Sequence, residues 1–173
     1  MKAKPLFYLC GAYITPELAK EMISRGCDKY MVIDSKITIT PAIPEYLGTL
    51  RKLWVDMCFD ISAQTNRSVL FYGDSYADIY SGSSEEQLSD MHFITLICDE
   101  DVLRQRLKAK WGDFANKKVA NGTWLDMAVT RNKYFKIYHD EHQFKNTFLI
   151  DITNLSVEEA ADKVEEYINN QII

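Results

Sequence analysis

The stretch Phe93-Ile94-Thr95-Leu96-Ile97-Cys98-Asp99-Glu100-Asp101-Val102-Leu103-Arg104-Gln105-Arg106-Leu107 joins two different periodicities with no linker between them. Up to Cys98 it is mostly continuous apolar and β-branched, the pattern of a strand covered on both faces rather than on one. After it, Asp99 or Asp101 caps a helix that carries Val102, Leu103, Arg106 and Leu107. A buried strand that runs directly into a capped helix is the building unit of a parallel sheet.

The same alternation extends in both directions. Leu6–Cys10, Tyr30–Ile33, Val69–Tyr72 and Thr147–Ile150 read as further strands beside His92–Cys98. Between them lie helical patterns. Pro16 opens one at a favoured first-turn position, and Gly26 stops it. The next runs from about Pro44 to Thr65, with Leu47, Leu50, Leu53, Trp54, Met57, Cys58 and Ile61 on one stripe. A later helix places Trp124, Met127, Ala128, Tyr134 and Phe135 on one face, interrupted by Arg131. Ser156 and Glu159 form a capping box that starts the last helix, with Ala160, Val164, Tyr167 and Ile168 facing inward. Five strands alternating with helices predict a three-layer α/β/α sandwich around a five-stranded parallel sheet, as one domain over residues 1–173.

Composition bounds the function. A chain of 173 residues, 47% hydrophobic and 26% charged, has the make-up of a single globular domain. Its formal net charge of -5 argues against a nucleic-acid backbone as the partner. A phosphorylated small molecule in a local basic pocket remains compatible with that charge. Cys10, Cys27, Cys58 and Cys98 have no metal-ligand spacing with the three histidines, so reduced, buried thiols in a cytoplasmic protein are expected. No stretch is apolar for long enough to serve as a signal core or a membrane span.

In sheets of this kind ligands bind beyond the carboxyl ends of the strands. Those ends read Cys10-Gly11, Ile33-Asp34, Tyr72-Gly73-Asp74, Cys98-Asp99 and Ile150-Asp151-Ile152-Thr153. A carboxylate placed there can hold Mg²⁺ or accept a substrate hydroxyl proton, and equally it can cap the turn that follows.

The order of these pieces resembles that of the P-loop nucleoside and nucleotide kinases. Val69 to Asp74 is similar to the strand ending in the Walker B carboxylate, and the Leu103–Leu107 segment to the "LxxRL" helix that introduces a mobile lid. Phe148 to Glu159 is similar to the last strand with its adenine-side loop. The resemblance implies Leu6–Cys10 at the centre of the sheet, with the second and fifth strands at its edges. It implies ATP and Mg²⁺ as cofactors and a nucleotide or small-molecule ligand. Asp34, Asp74 and Arg106 become the candidate catalytic residues, with Asp74 holding the metal. Gly11, Thr15, Arg106, Asp151 and Thr153 become the candidate nucleotide contacts. A lid-like segment is expected at about 111–140, its polar part from Trp111 to Gly122.

One piece departs from the family. A phosphate loop G-x-x-x-x-G-K-[ST] uses backbone N–H groups and a lysine to cradle phosphates. Counted from Gly11, the second glycine falls on Pro16, the lysine on Glu17 and the hydroxyl on Leu18. Two functions therefore stay open. One is ATP-dependent phosphoryl transfer to a small hydroxylated substrate with a rebuilt loop. The other is a degenerate kinase fold that serves as a nucleotide-binding or protein-interaction module, where exposed tyrosines such as Tyr76, Tyr80, Tyr134 and Tyr138 could meet a partner.

Overall fold

A computed structural model describes residues 4–11, 15–26, 28–34, 47–73, 83–120, 122–141 and 146–172. Its central sheet is built from β1 (Leu6–Gly11), β2 (Tyr30–Asp34), β3 (Ser68–Gly73), β4 (Met91–Ile97) and, after a small hairpin, β7 (Thr147–Asp151). The hairpin strands are β5 (Lys118–Val119) and β6 (Gly122–Thr123), paired antiparallel. The large sheet has the order β2-β3-β1-β4-β7, and every pairing in it is parallel. β1 is central, with β2 and β7 at the edges, as the sequence leads one to expect.

Six helices flank the sheet among the described residues: α1 (Thr15–Arg25), α2 (Leu47–Thr65), α3 (Glu85–Ser89), α4 (Glu100–Trp111), α5 (Trp124–Glu141) and α6 (Val157–Gln171), the last following β7. β1, β3 and β4 are buried at every position, which accounts for their lack of polar alternation. Their side chains still divide by parity between two cores. Phe7, Leu9, Leu70, Tyr72, Ile94 and Leu96 pack against Leu18, Ala19 and Met22 of α1, Leu103 and Leu107 of α4, and Ala160, Val164 and Ile168 of α6. On the other face Leu6, Tyr8, Cys10, Val69, Phe71, Met91 and Phe93 meet Val55 and Cys58 of α2 and Phe135 of α5. Cys10, Cys58 and Cys98 are buried thiols, and burial raises the Cys58 thiol to about 12.

Local chemistry sets the ends of the elements. Gly26 follows α1 at φ 59°, the left-handed geometry that glycine adopts without a side-chain penalty. Ser156 and Glu159 make the expected reciprocal capping box at the start of α6. Arg25, in the last turn of α1, reaches Asp162 and Glu165 and the carbonyl of Glu158, tying α1 to α6.

Two readings of α5 change. Arg131 is exposed and does not interrupt the buried stripe; Asn132, only 6% exposed, does. Tyr134, placed inward by the sequence pattern, is 50% exposed, while Leu125 and Val129 join Ala128 and Phe135 in the core. The buried stripe is therefore rotated by about one residue, roughly 100° around a helix of 3.6 residues per turn. The segment after α4 is also better anchored than its polarity implies. It forms a 3-10 turn over Gly112–Asn116, with Ala115 fully buried and Phe114 stacked on Trp124 at 5.4 Å between ring centroids.

Candidate functional site

The carboxyl ends of β1, β4 and β7 lie side by side, because β4 sits between β1 and β7. On the β7 side the chain is knitted by polar contacts. Asp151 Oδ1 accepts from the Thr153 amide at 2.9 Å and from its hydroxyl at 2.5 Å, so the loop folds back on its own aspartate. Thr153 Oγ1 then accepts from the Asp99 amide at 2.8 Å, and the Ile152 amide donates to the carbonyl of Ile97. Asp99 in turn caps α4, accepting from the amides of Asp101 and Val102. Of the two aspartates open as a cap from the sequence, Asp99 fills the place.

Arg106 closes this cluster. Its guanidinium donates to the carbonyl of Ile152 at 2.9 Å and of Thr153 at 2.8 Å, and lies 4.0 Å from the Cys98 sulfur. Burial raises the Cys98 thiol, so this cysteine stays a neutral wall of the cluster at neutral pH. From the opposite side Asn132 grips the same residue. Its Oδ1 accepts from the Cys98 amide at 2.9 Å, and its Nδ2 donates to the Cys98 carbonyl at 2.7 Å. The strand end that leads into α4 is thus held by α5 on one side and by the β7 loop on the other.

The β1 side is built differently. Gly11 ends β1 in contact with β4: a Cβ added there would stand 2.7 Å from Leu96 Cβ, so only glycine fits. Thr15 is 2% exposed, and its hydroxyl donates to the Gly11 carbonyl at 3.3 Å. Two residues on, Glu17 forms an ion pair through Oε1 with Lys110 of α4. Its other oxygen, Oε2, is shielded from solvent and has no hydrogen-bond partner among the described residues. Nearby, Arg104 pairs with Glu100 and with Asp126 of α5, and Lys133 pairs with Glu100, so α4 and α5 are crosslinked. These contacts hold the Glu100 and Asp126 carboxyls below their ordinary range, Lys133 leading for Glu100 and the Thr123 hydroxyl for Asp126.

The structure brings Arg106, Asp151 and Thr153 together and places Gly11 and Thr15 at the end of β1, one strand away. Asp34 ends the edge strand β2, in register with Tyr72 of β3. Asp74, the candidate metal and catalytic carboxylate, lies outside the described residues, as do Tyr76 and Tyr80. Among the described residues no cluster of three histidine, cysteine or acidic side chains could hold a metal. No described helix is long and apolar enough to cross a membrane. Asn132 and the Glu17–Lys110 pair were not legible as site features. The one signal for Asn132 was an amide side chain three residues before Phe135 and three after Val129, on a stripe otherwise apolar.

This sheet order, with helices on both faces, is the P-loop kinase-like fold. No family model matches the chain, and no curated protein sequence matches it. Solved structures do. The tunicamycin resistance protein of Deinococcus radiodurans superposes with a TM-score of 0.65 at 15% identity, covering 95% of both chains. A gluconokinase from Sinorhizobium meliloti 1021 gives 0.62 at 11% identity, over 99% of this chain and 95% of its own. A shikimate kinase from Acinetobacter baumannii, in complex with shikimate, gives 0.53 at 15% identity, over 98% and 95%.

Proposed function

We propose that this chain is a nucleoside- or nucleotide-binding protein on a kinase fold, with its affinity supplied by the β7-side loop rather than by a phosphate cradle. The observation that carries this reading is the ion pair between Glu17 and Lys110. Counted from Gly11, Glu17 stands where the phosphate-loop lysine belongs, and it brings a carboxylate to the first turn of α1. A carboxylate there satisfies the positive end of the helix itself and repels a phosphate that would seek the same place.

Phosphoryl transfer needs positive charge gathered around the moving phosphoryl group and water kept out. In that reading Asp34 orients the acceptor hydroxyl, Asp74 organises Mg²⁺ and Arg106 stabilises the transferred charge. The commitment of the Arg106 guanidinium to two loop carbonyls supports the binding reading instead. In that role Arg106 shapes the loop from Asp151 to Leu155, the part of the site that the kinase resemblance assigns to the base of the nucleotide.

Calorimetric titration with adenosine and with ATP, each with and without Mg²⁺, tests the proposal. Adenosine is expected to bind at least as tightly as ATP, with no dependence on Mg²⁺. Mg²⁺-dependent ATP binding that is clearly tighter than adenosine binding would overturn it in favour of a working phosphotransferase.

A further inference from the structure

A trans peptide group is planar, so its C=O and N–H point in opposite directions and turn together. Two successive peptide groups at the end of β4 are each held from both sides. In the Ile97–Cys98 group, the Cys98 N–H donates to Asn132 Oδ1 at 2.9 Å, and the Ile97 carbonyl accepts from the Ile152 amide at 2.8 Å. In the Cys98–Asp99 group, the Cys98 carbonyl accepts from Asn132 Nδ2 at 2.7 Å, and the Asp99 N–H donates to Thr153 Oγ1 at 2.8 Å. One end of each group is bound to Asn132 on α5, and the other end to the loop after β7.

The residue type fits this task. A short side chain must offer an acceptor and a donor side by side to the N–H and C=O of one residue. A primary amide does so, whereas an ionised carboxylate has no donor. Asn132 is 6% exposed, so water competes little for these bonds. The loop at the other end is open to solvent, with Asp151 and Asn154 exposed. Arg106 fixes that loop from α4 through the carbonyls of Ile152 and Thr153, and Asp99 caps the same helix. Turning either peptide group therefore displaces the loop at Ile152 and Thr153.

We propose that Asn132 is a positioning residue for nucleoside binding. It sets the orientation of the two peptide groups that hold the β7 loop, and so shapes the loop without touching the ligand. This rests on the reading that the β7 loop takes the base.

The test uses the whole chain, with adenosine as the probe, and compares Asn132→Ala with Val55→Ala. Val55 is fully buried on α2 in the core on the other face of the sheet, so its loss lowers stability without reaching the relay. Lower stability alone leaves affinity unchanged while the folded state dominates. Asn132→Ala is expected to weaken adenosine binding about tenfold, within the range for residues joined in one hydrogen-bond network. Val55→Ala is expected to leave it unchanged. Coupling is reciprocal, so in the wild type adenosine should slow hydrogen exchange of the Cys98 amide about tenfold more than that of Val69 in β3. That arm decides if Asn132→Ala folds poorly. Unchanged affinity in folded Asn132→Ala, equal losses in the two variants, or equal slowing of the Cys98 and Val69 amides would overturn the role of Asn132 and leave nucleoside binding standing. No binding of adenosine to the wild type would overturn both.

Discussion

The two sides of the rim hold themselves together by different means. On the β7 side, backbone groups are gripped by side chains: Asn132 on both polar atoms of Cys98, Arg106 on two carbonyls, Thr153 on the Asp99 amide. On the β1 side the tie between α1 and α4 is an ion pair of two side chains more than one-third exposed, Glu17 and Lys110. The two Asn132 bonds are buried and costly to break because their partners are left unsatisfied, those of Arg106 are partly buried and that of Thr153 is exposed, while exposed ion pairs contribute little to stability.

That difference can be broken by paired substitutions. Asn132→Ala is expected to destabilise the protein by about 2–6 kcal/mol, since it strands a buried amide and a buried carbonyl at about 1–3 kcal/mol each. Lys110→Ala is expected to cost less than about 1 kcal/mol. Denaturant unfolding of the two variants checks the ratio, and comparable losses would show that the β1 side is as firmly built as the β7 side.

A smaller effect sharpens the comparison from the far end of the sheet. His92 lies near the start of β4, its ring tilted against Phe7 at 4.9 Å between centroids, with Nδ1 3.0 Å from the hydroxyl of Tyr167 on α6. Burial lowers the imidazole below its ordinary value, with Asp90 acting weakly in the opposite sense. The folded state therefore resists a proton that the unfolded chain accepts below about pH 6.5. Stability should fall as pH drops below that point, and the fall should end once the folded imidazole also titrates. Melting temperatures between pH 7.5 and 5 check this, with His92→Gln giving a flatter profile. The loss should be smaller than that of Asn132→Ala. An equal slope in the variant would assign the acid sensitivity to other groups.

Much of the fold was legible because its signals are local. Short unbroken apolar runs such as Leu6–Cys10, bounded by turn residues, are the pattern of strands covered on both faces, and Gly26 and Ser156 mark helix ends by their own backbone chemistry. The order of β1, β3 and β4 followed from the resemblance, since no local signal in β1 says that it lies at the centre. The site was legible in part. Thr153 and Asp151 were found because they sit at a strand end, and Arg106 because its segment resembles the LxxRL helix of the kinases; Arg106 was assigned to phosphates, and its guanidinium is committed to carbonyls. Asn132 was missed because Arg131, beside it, is the louder polar residue, and one residue of helix phase decides which is buried. The pairing of Glu17 with Lys110 joins residues 93 positions apart, and no periodicity carries such a contact.

The central claim is that the β7 side binds and the β1 side does not cradle phosphate. Displacement of a fluorescent adenosine analogue from the wild-type protein tests it most directly, with adenosine and inorganic tripolyphosphate as the two competitors. Adenosine should displace the analogue fully, and tripolyphosphate should leave it bound at concentrations a hundredfold higher. Displacement by tripolyphosphate at concentrations comparable to adenosine would place a working phosphate site at the start of α1 and contradict the account.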